Sequence, residues 1–414
     1  MWVVLMRHLH KIFHENSTPV FNRVYEERIS FHSTIKLGLH IKPMGQGNTY
    51  ELYYVPTNRM LKMISELFII SKELDSRYRE LPNIARKQFI IECIAEELYN
   101  TNELEGIRST REEIVRSTKD TLFNRKSKKR FESMISSYFR LLDLDDIAYP
   151  RTSKDVRKIY DNITGGEIDP QDLPDGEVFR KGIAYVLKQS GTGKVVHQGV
   201  FPETKIINLI DKLLQFMNDE QLDIPNVIKV AVGHYYFGYI HPFYDGNGRT
   251  ARFISSMYLA KDLGNISSLA LSRGCNKYKS KYLEAFEISN SIRSRGEMNS
   301  FIETFLEIMI DELKAMNAEL KEKSYLLDIA AQKINSDTSL SHLPKVFRDF
   351  MFVMAQNYFF DSSSGLTVAE LSNILGKSPA TVRKMAKYLL DLSLVEQKGE
   401  RPAYYGIAPK YFEQ

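Results

Sequence analysis

The chain has 414 residues, of which 43% are hydrophobic and 26% charged, and its 56 Lys and Arg against 52 Asp and Glu give a net charge of +4. The length predicts two or three domains, and the composition is that of a globular protein, which excludes a disordered or low-complexity chain. The small net charge excludes a surface that binds nucleic acid over its whole extent.

The cysteines and the hydrophobic segments indicate the compartment. Cys93 and Cys275 stand far apart and outside any CxxC motif, so neither a zinc site nor a disulfide framework is expected. The apolar start, Met1 to Met6, lacks a basic region and is too short for a signal peptide. No segment reaches membrane-spanning length. We therefore expect a cytoplasmic protein without membrane contact.

The N-terminal part predicts a β-hairpin followed by helices. Hydrophobic residues alternate over Ile35 to Ile41 and Tyr50 to Tyr54, around a turn at Pro43 to Asn48. Helical patterns cover Met60 to Asp75 and Asn83 to Tyr99. The hairpin is therefore expected to lie at the edge of a helical body.

Two further segments precede the central helices. Thr101 to Gly106 places Glu105 before a glycine, which on its own is typical of a solvated helix end with a glycine C-cap. Between Gly176 and Pro202, strand-like runs flank a turn at Gly191 to Gly193 and predict a second hairpin, ahead of a helix that begins near Glu203.

The most informative segment runs from His241 to Arg252. The apolar stretch Val227 to Ile240 predicts a helix that ends near His241, because the following proline disfavours helical geometry. Gly246 and Gly248 permit a tight turn, and a new helix covers Arg249 to Leu263. The glycines therefore lie at a helix N-terminus, where unpaired N–H groups favour phosphate.

The side chains of this segment suit the transfer of a phosphate-containing group to a hydroxyl. Arg249 and Arg252 share one helical face and can clamp phosphates. Asp245 offers the oxygen ligands that Mg²⁺ takes together with substrate phosphates. His241 is free to remove a proton from a hydroxyl. The alternative is a polar turn between two core helices, with Phe243 as a buried anchor.

The same residues match the motif HxFx(D/E)GNGRxxR, so the chain resembles the Fic family. The resemblance implies a mainly α-helical core with a β-hairpin flap, and AMP transfer from ATP to a Ser, Thr or Tyr hydroxyl of a protein. It also implies His241 as the base, Asp245 as the Mg²⁺ ligand and Phe243 as an anchor. The residues implied to bind phosphate are Gly246, Asn247, Gly248, Arg249 and Arg252.

The resemblance changes the interpretation of Glu105. Family members carry an inhibitory motif, (S/T)xxxE(G/N), which Thr101, Glu105 and Gly106 match here. It implies that Glu105 pairs with Arg252, since a carboxylate and a γ-phosphate compete for one guanidinium group. Asn102 replaces a serine that is common in the family and can still make local hydrogen bonds.

Further site residues follow from position relative to the family. The second hairpin occupies the place of the flap that aligns the target, which implies Val196, His197, Gln198 and Gly199 as flap residues. His197 on its own is more typical of an exposed strand histidine. Tyr282 and Asn290 resemble residues that lie near the base and ribose, although aromatic residues at helical spacing are more often core. Gly238 stands where an acidic residue is frequent.

The C-terminal part predicts a winged helix-turn-helix. An apolar stripe along Val368 to Leu375, a turn at Gly376 to Ser378 and a second amphipathic helix precede two short strands. Thr381, Arg383, Lys384 and Lys387 lie on the second helix and can face a DNA groove. However, Pro344 to Gln414 holds nine Lys and Arg against seven Asp and Glu, so DNA and protein contact, including a homodimer, stay equally open.

We therefore predict four parts: an N-terminal hairpin region (1–60), a Fic-type catalytic domain (61–320), a helical linker (321–343) and a winged helix (344–414). The expected function is protein adenylyltransfer with ATP and Mg²⁺, restrained by Glu105, onto a target protein or onto the chain itself. Three alternatives stay open within the family: another donor such as UTP or CDP-choline, AMP removal, and phosphate transfer. The alternative of another class is a nucleotide-sensing, DNA-binding transcription regulator.

Overall fold

The computed structural model describes residues 7–122, 130–143, 147–187, 195–361, 365–400 and 402–413. These residues form two compact units. The first lies within Met1–Lys72 and Ile94–Lys314, and the second within Glu73–Cys93 and Ala315–Gln414. Within the described ranges, no helix is long and apolar enough to cross a membrane.

The first unit begins with two short helices and the first predicted hairpin, which is confirmed. Helices α1 (Leu9–Glu15) and α2 (Thr18–Ile29) precede strands β1 (Ile35–Ile41) and β2 (Tyr50–Tyr54). The strands pair antiparallel. The pairing shifts register near Gly38, whose φ of 67° is one that glycine adopts without strain. Leu37, Leu39 and Ile41 are buried, as their alternation predicts.

Two long helices follow, and both extend further than their sequence patterns. Helix α3 is Asn58–Glu80 and helix α4 is Asn83–Glu105. Helix α4 therefore includes Thr101 and Glu105 in its last turns, and Gly106 ends it with a φ of 75°. The next helices, which the sequence patterns did not predict, are α5 (Arg111–Leu122), α6 (Glu132–Leu141) and α7 (Ser153–Thr164).

The centre of the first unit consists of two helices that are buried on nearly all sides. A short antiparallel hairpin of β3 (Tyr185–Leu187) and β4 (Val195–Gln198) leads into α8 (Glu203–Asn218). The central helices are α9 (Asn226–Ile240) and α10 (Asn247–Leu263), which pack against each other. Helix α9 is apolar on nearly all sides, as expected in a protein interior, whereas α10 also buries polar side chains such as Arg249 and Arg252. The predicted turn at Gly191 to Gly193 lies outside the described residues.

Three short helices lead to one long helix. They are α11 (Asn265–Ser268), α12 (Leu271–Lys277) and α13 (Lys279–Ser289). Helix α14 (Asn299–Ser336) is continuous for 38 residues. The sequence predicts separate helices over Met298 to Ala315 and Lys321 to Ser336, but no glycine or proline lies between them to end the first.

The C-terminal part of the second unit contains a small sheet, with two helices between its first and second strands in chain order. Helices α15 (Thr338–Ser341), α16 (Lys345–Phe360), α17 (Val368–Leu375) and α18 (Pro379–Asp391) are followed by α19 (Lys410–Glu413). Strands β5 (Leu366–Thr367), β6 (Val395–Lys398) and β7 (Tyr404–Ile407) form a sheet in the order β5, β7, β6. Ser378 caps α18, as the sequence predicts.

Candidate active site

The turn between α9 and α10 has a strained start and a buried anchor. His241 follows α9 with a φ of 52°, in the left-handed region that is uncommon outside glycine, and its N–H donates to Phe237 O at 2.9 Å. Phe243 is fully buried and stacks on Tyr160 with ring centroids 3.7 Å apart. The anchored turn therefore fixes the backbone of His241, from which the imidazole extends.

The glycines and Asn247 shape the N-terminus of α10. Gly246 has a φ of 79°, and a Cβ there would meet Thr164 Cγ2 at 2.7 Å. The Asn247 side chain accepts from Phe243 N–H at 2.9 Å and donates to Phe243 O at 2.8 Å. The amide therefore holds the turn closed, and at Asn247 only the backbone N–H is left to face an anion.

Arg249 is buried with hydrogen-bonding capacity to spare. The residue is 1% exposed, and its Nη2 lies 3.4 Å from Asp245 Oδ2. Its Nε and Nη1 have no hydrogen-bond partner among the described residues. Because a buried donor without a partner costs free energy, this arrangement favours an anionic ligand that completes the site.

Arg252 is paired with the residues that the inhibitory motif singles out. Its Nη2 lies 2.7 Å from Glu105 Oε1, and its Nε donates to Thr101 Oγ1 at 2.8 Å. Burial alone lowers the pKa of Arg252, but Glu105 outweighs this effect and the pKa is raised. A Cβ added to Gly248 would collide with Glu105 Oε1. The carboxylate of Glu105 therefore lies against the first turn of α10.

A buried carboxylate, Glu97, holds α4 two turns before Glu105. Glu97 is fully buried and accepts from Ser272 N–H at 2.8 Å and from Ser272 Oγ at 2.6 Å. Burial raises its pKa to about 7, against these hydrogen bonds. Glu97, Thr101 and Glu105 are spaced four residues apart and share one face of the helix. The hydrogen bonds of Glu97 to Ser272 thus fix α4, and with it the position of Glu105.

Glu105, Arg252, His241 and the first turn of α10 face one cavity of about 280 Å³. Its walls are formed by the Glu105–Arg252 ion pair, the imidazole of His241, the first turn of α10, the second hairpin and one side of α13. The lining residues include Leu104, Glu105, Val186, Val196, His197, His234, His241, Gly248, Arg252, Tyr282, Phe286, Glu287 and Asn290. Apolar walls with a few convergent polar groups are typical of a small-ligand site.

The imidazole of His241 is neutral. Burial, with smaller contributions from the nearby His197 and Arg180, lowers its pKa to about 3. A neutral imidazole has one nitrogen free to accept a proton. His241 therefore has the protonation state that a general base needs throughout the physiological pH range.

Two of the four residues predicted to form the flap reach the cavity. Val196 and His197 line it, whereas Gln198 is exposed and Gly199 is buried behind it. The expectation of an exposed His197 is wrong: the residue is 5% exposed, and its Nε2 lies 2.6 Å from Tyr239 O. A strand pattern alone gives no sign that β4 packs over the end of α9.

Tyr282 on α13 and Asn290, the residue just after it, both line the cavity. The hydroxyl of Tyr282 lies 2.8 Å from His234 Nε2, and His234 Nδ1 lies 2.9 Å from Ser255 Oγ. Burial lowers the pKa of His234 to about 3, so this histidine is also neutral. Gly238 packs against Phe286, and a Cβ there would meet Phe286 Cε1 at 2.6 Å, which explains why no acidic side chain stands at this position.

Asp245 fits a magnesium ion that is held mainly by other ligands. Its side chain is 42% exposed, and its Oδ1 accepts from Gly246 N–H at 2.6 Å. In the part of the chain that the structure describes, no group of three or more His, Cys, Asp or Glu could hold a metal ion. A single half-exposed carboxylate suits Mg²⁺ bound jointly with substrate phosphates, not a metal held by protein alone.

Residues 150–259 match the model of the Fic/DOC family. The chain contains a Fic domain. A protein adenylyltransferase Fic from Aedes aegypti is 25% identical over 187 residues, which cover 45% of this chain and 33% of that protein. The match thus spans about a third of the length of this curated relative.

Two solved structures of Fic proteins match parts of the chain at low identity. A Fic family protein from Desulfovibrio desulfuricans G20 has 16% identity and a TM-score of 0.49, covering 86% of this chain and 98% of its own. A Fic domain containing signaling protein from Bacteroides thetaiotaomicron VPI-5482 has 18% identity and a TM-score of 0.42, covering 64% of this chain and 97% of its own.

Part of the site lies outside residues 150–259, the range that matches the family model. The Fic domain match includes the turn from His241 to Arg252 and the second hairpin, but Glu105, Tyr282 and Asn290 lie outside it. Sequence patterns did not single out several residues of the site, among them His234 and Arg180. His234 is a histidine within an apolar helix, and Arg180 lies in a short run that indicates only a strand; neither pattern signals an active-site position.

Proposed function

We propose that the protein transfers AMP from ATP to a Ser, Thr or Tyr hydroxyl of a protein. The observation that carries the proposal is Arg249, which is buried beside the N-terminus of α10 with two donor nitrogens unpaired among the described residues. A polyphosphate supplies the charge and the oxygens that such a guanidinium group lacks. Neutral His241 in the neighbouring cavity supplies the base.

The reaction assigns a role to each residue of the turn. The target hydroxyl loses its proton to an imidazole nitrogen of His241, and its oxygen bonds to the α-phosphorus. The bond from the α-phosphorus to the bridging oxygen breaks, and pyrophosphate leaves. Backbone N–H groups at Gly246 to Gly248 face phosphate oxygens, and Arg249 and Arg252 hold the outer phosphates. Mg²⁺ bound by Asp245 and the phosphates would neutralise charge that develops on the leaving group.

The walls of the cavity assign the rest of the substrate. Tyr282 and Asn290, which line the side formed by α13, lie near the base and ribose in this proposal. The hairpin residues Val196, His197, Gln198 and Gly199 align the target segment, since a strand edge can pair with an extended peptide. The target is another protein or a second molecule of this chain.

Regulation follows from the ion pair of Glu105 with Arg252. The carboxylate occupies the guanidinium group that a γ-phosphate needs, so ATP binds without aligning its α-phosphorus for attack. Thr101 supports this state by accepting from Arg252 Nε, and Gly106 ends the helix that carries Glu105. We therefore infer a restrained enzyme.

Labelled ATP tests the reaction type. With Mg²⁺ and a Glu105→Gly variant, label from the α-phosphorus is expected to enter protein, whereas label from the γ-phosphorus is expected in pyrophosphate. Denaturing electrophoresis and intact mass measure the transfer, and excess EDTA serves as the control. Transfer of the γ-label would identify a kinase. No transfer from ATP, but transfer from UTP or CDP-choline, would identify another donor.

AMP removal is tested with the product of that reaction. Modified protein is separated from nucleotide and incubated again with wild-type protein and Mg²⁺. Loss of the adenylyl mass would indicate that the protein also removes AMP by hydrolysis. In that reaction Glu105 would orient the attacking water.

The C-terminal module supports a second candidate function, DNA binding. Arg383, Lys384 and Lys387 are exposed on α18, and Lys377 is exposed in the turn before it. Across the described residues, none of these four makes a salt bridge. Unpaired cations on the second helix of such a module suit phosphate contacts. A regulator in which the Fic domain senses nucleotide would use this surface, and protein contact or a homodimer remains the alternative prediction.

Charge reversal on α18 is expected to weaken DNA binding. In the full chain, Lys384→Glu with Lys387→Glu should lower affinity for a short duplex and reduce the slope of log K against log salt by about 1 for each phosphate that a lysine no longer neutralises. Fluorescence anisotropy at several salt concentrations measures both. Lys62→Glu with Lys72→Glu, two exposed lysines on α3, is the matched control. Equal binding by both double variants would favour protein docking instead.

The compartment remains part of the proposal. Cys93 and Cys275 are both buried, and the described residues contain no disulfide. Buried thiols without a disulfide are compatible with a reducing compartment, so we place the protein in the cytoplasm.

A further inference from the structure

Arg180 is a buried arginine that lies outside the phosphate-binding turn. It lies in the loop before β3, beside the turn between α9 and α10, which is called the catalytic turn below, and its exposure is 0%. Its Nε donates to His241 O at 2.8 Å, its Nη2 to Val200 O at 2.9 Å, and its Nη1 to Gly182 O. Its backbone N–H donates to Pro242 O at 3.2 Å. One side chain thus binds three separate segments.

Among the residues that the structure describes, the charge of Arg180 has no counter-ion. In the described ranges, no carboxylate lies within salt-bridge distance of it, and all three side-chain partners are backbone carbonyl groups. Burial lowers its pKa to about 10. Burying a cation without a partner charge is costly, and apolar residues of similar size often serve stability as well or better. Stability alone therefore does not account for an arginine here.

The three carbonyl groups belong to the parts that must meet during transfer. His241 carries the base on a backbone with positive φ. Gly182 and Val200 are the residues just before and just after the second hairpin. We propose that Arg180 is a positioning residue that fixes the hairpin against the catalytic turn, so that target hydroxyl and imidazole are aligned; this rests on the transfer reaction proposed above.

Neighbouring contacts support this assignment. Val200 N–H donates to Ile240 O at 3.0 Å, and Gly182 N–H donates to Tyr244 Oη at 2.7 Å, so both ends of the hairpin also contact the turn directly. Gly199 leaves the space that Arg180 occupies, because a Cβ there would collide with Arg180 Nη2 and lie 3.0 Å from His241 Cβ. The guanidinium group fills a gap that the surrounding chain is shaped to leave.

Arg180→Met tests the proposal because it keeps the length of the side chain and removes every side-chain donor. In the Glu105→Gly background, kcat for transfer is expected to fall on the order of a hundredfold, as for other small misplacements of reacting groups, while KM for ATP changes little. Independently of any activity, the amides of Gly199 and Val200 should exchange with D₂O faster. Hydrogen exchange by mass spectrometry measures this opening.

Two further variants separate positioning from charge and from folding. Arg180→Lys keeps the charge but cannot reach three carbonyl groups, so it should resemble Arg180→Met; full recovery would overturn the proposal. Arg28→Met removes another buried arginine, which pairs with Glu297. It should lower thermal stability without lowering kcat. An equal kcat loss in Arg28→Met would attribute the effect to destabilisation and also overturn the proposal.

The exchange measurement keeps the two hypotheses distinguishable. If Glu105→Gly with native Arg180 transfers no group from any nucleotide, the proposed function fails, and exchange still reports whether Arg180 holds the hairpin. If transfer occurs but Arg180→Met leaves both exchange and kcat unchanged, only the positioning role is refuted.

Discussion

Replacing His241 by alanine is expected to lower AMP transfer by about a hundred- to ten-thousand-fold, the usual cost of losing a general base. Burial lowers the pKa of His241 to about 3, so the imidazole is already unprotonated at neutral pH and can take the proton of the target hydroxyl. Initial rates of α-labelled transfer, in the Glu105→Gly background, measure the effect.

The same variant should bind ATP as well as its parent, because phosphate contacts come from α10 and its arginines. Isothermal titration with ATP and Mg²⁺ checks this. His32→Ala, which alters an exposed histidine of the first unit, is the matched control and should not change the rate. A rate in His241→Ala equal to that of its parent would remove the base assignment, whatever the nucleotide affinity.

The pH dependence follows from the depressed pKa. The base form of His241 is present above about pH 3 and is lost only as pH falls through that value. No fall in kcat near the ordinary histidine pKa of about 6.5 is therefore expected from this group. A clear inflection there would mean that the imidazole becomes more solvated once substrate binds.

Local sequence patterns predicted the parts of the fold that depend on short spacing. The turn from His241 to Arg252 could be placed because proline, glycine and helical periodicity each act over a few residues. The ends of helices were less predictable. Helix α14 continues through Met316 and Leu320, both fully buried, because packing and the absence of a breaker sustain a helix across a polar sequence.

Contacts between distant segments were beyond the reach of such patterns. Arg180 binds His241 O from a position 61 residues earlier, and Glu97 binds Ser272 from 175 residues earlier. The strand pattern on its own favours an exposed His197, because alternation does not reveal which face another element covers. These contacts depend on tertiary packing, so only a structure brings the residues together.

The pairing of Glu105 with Arg252 is the long-range contact that the sequence did predict, because a family motif, not periodicity, carried the information. The structure brings the two groups to 2.7 Å, with Arg252 2% exposed. What the motif did not reveal is the position of the carboxylate against Gly248, in the first turn of α10. That position lets one side chain obstruct both the guanidinium group and the helix N-terminus.

Glu105→Gly is therefore expected to raise transfer by about ten- to a hundredfold. A hydrogen bond to a charged group contributes roughly 1.5–3 kcal/mol, and each 1.4 kcal/mol is a tenfold change in an equilibrium constant, so releasing Arg252 should shift ATP towards the aligned state by that factor. Incorporation of α-label at saturating ATP and Mg²⁺ measures the rate, either onto the chain itself or onto an added target protein.

Glycine in a helix costs about 1 kcal/mol by itself, so the effect of charge must be separated from the effect of fraying α4. Glu103→Gly is the matched control, because Glu103 is an exposed glutamate on the same helix two residues earlier. Glu105→Gln keeps the side-chain length and removes the charge, so it should also raise the rate. If Glu103→Gly activates as strongly as Glu105→Gly, fraying of the helix explains the result. If neither Glu105 variant exceeds the wild-type rate, Arg252 is not the contested group, and the ion pair only stabilises the fold.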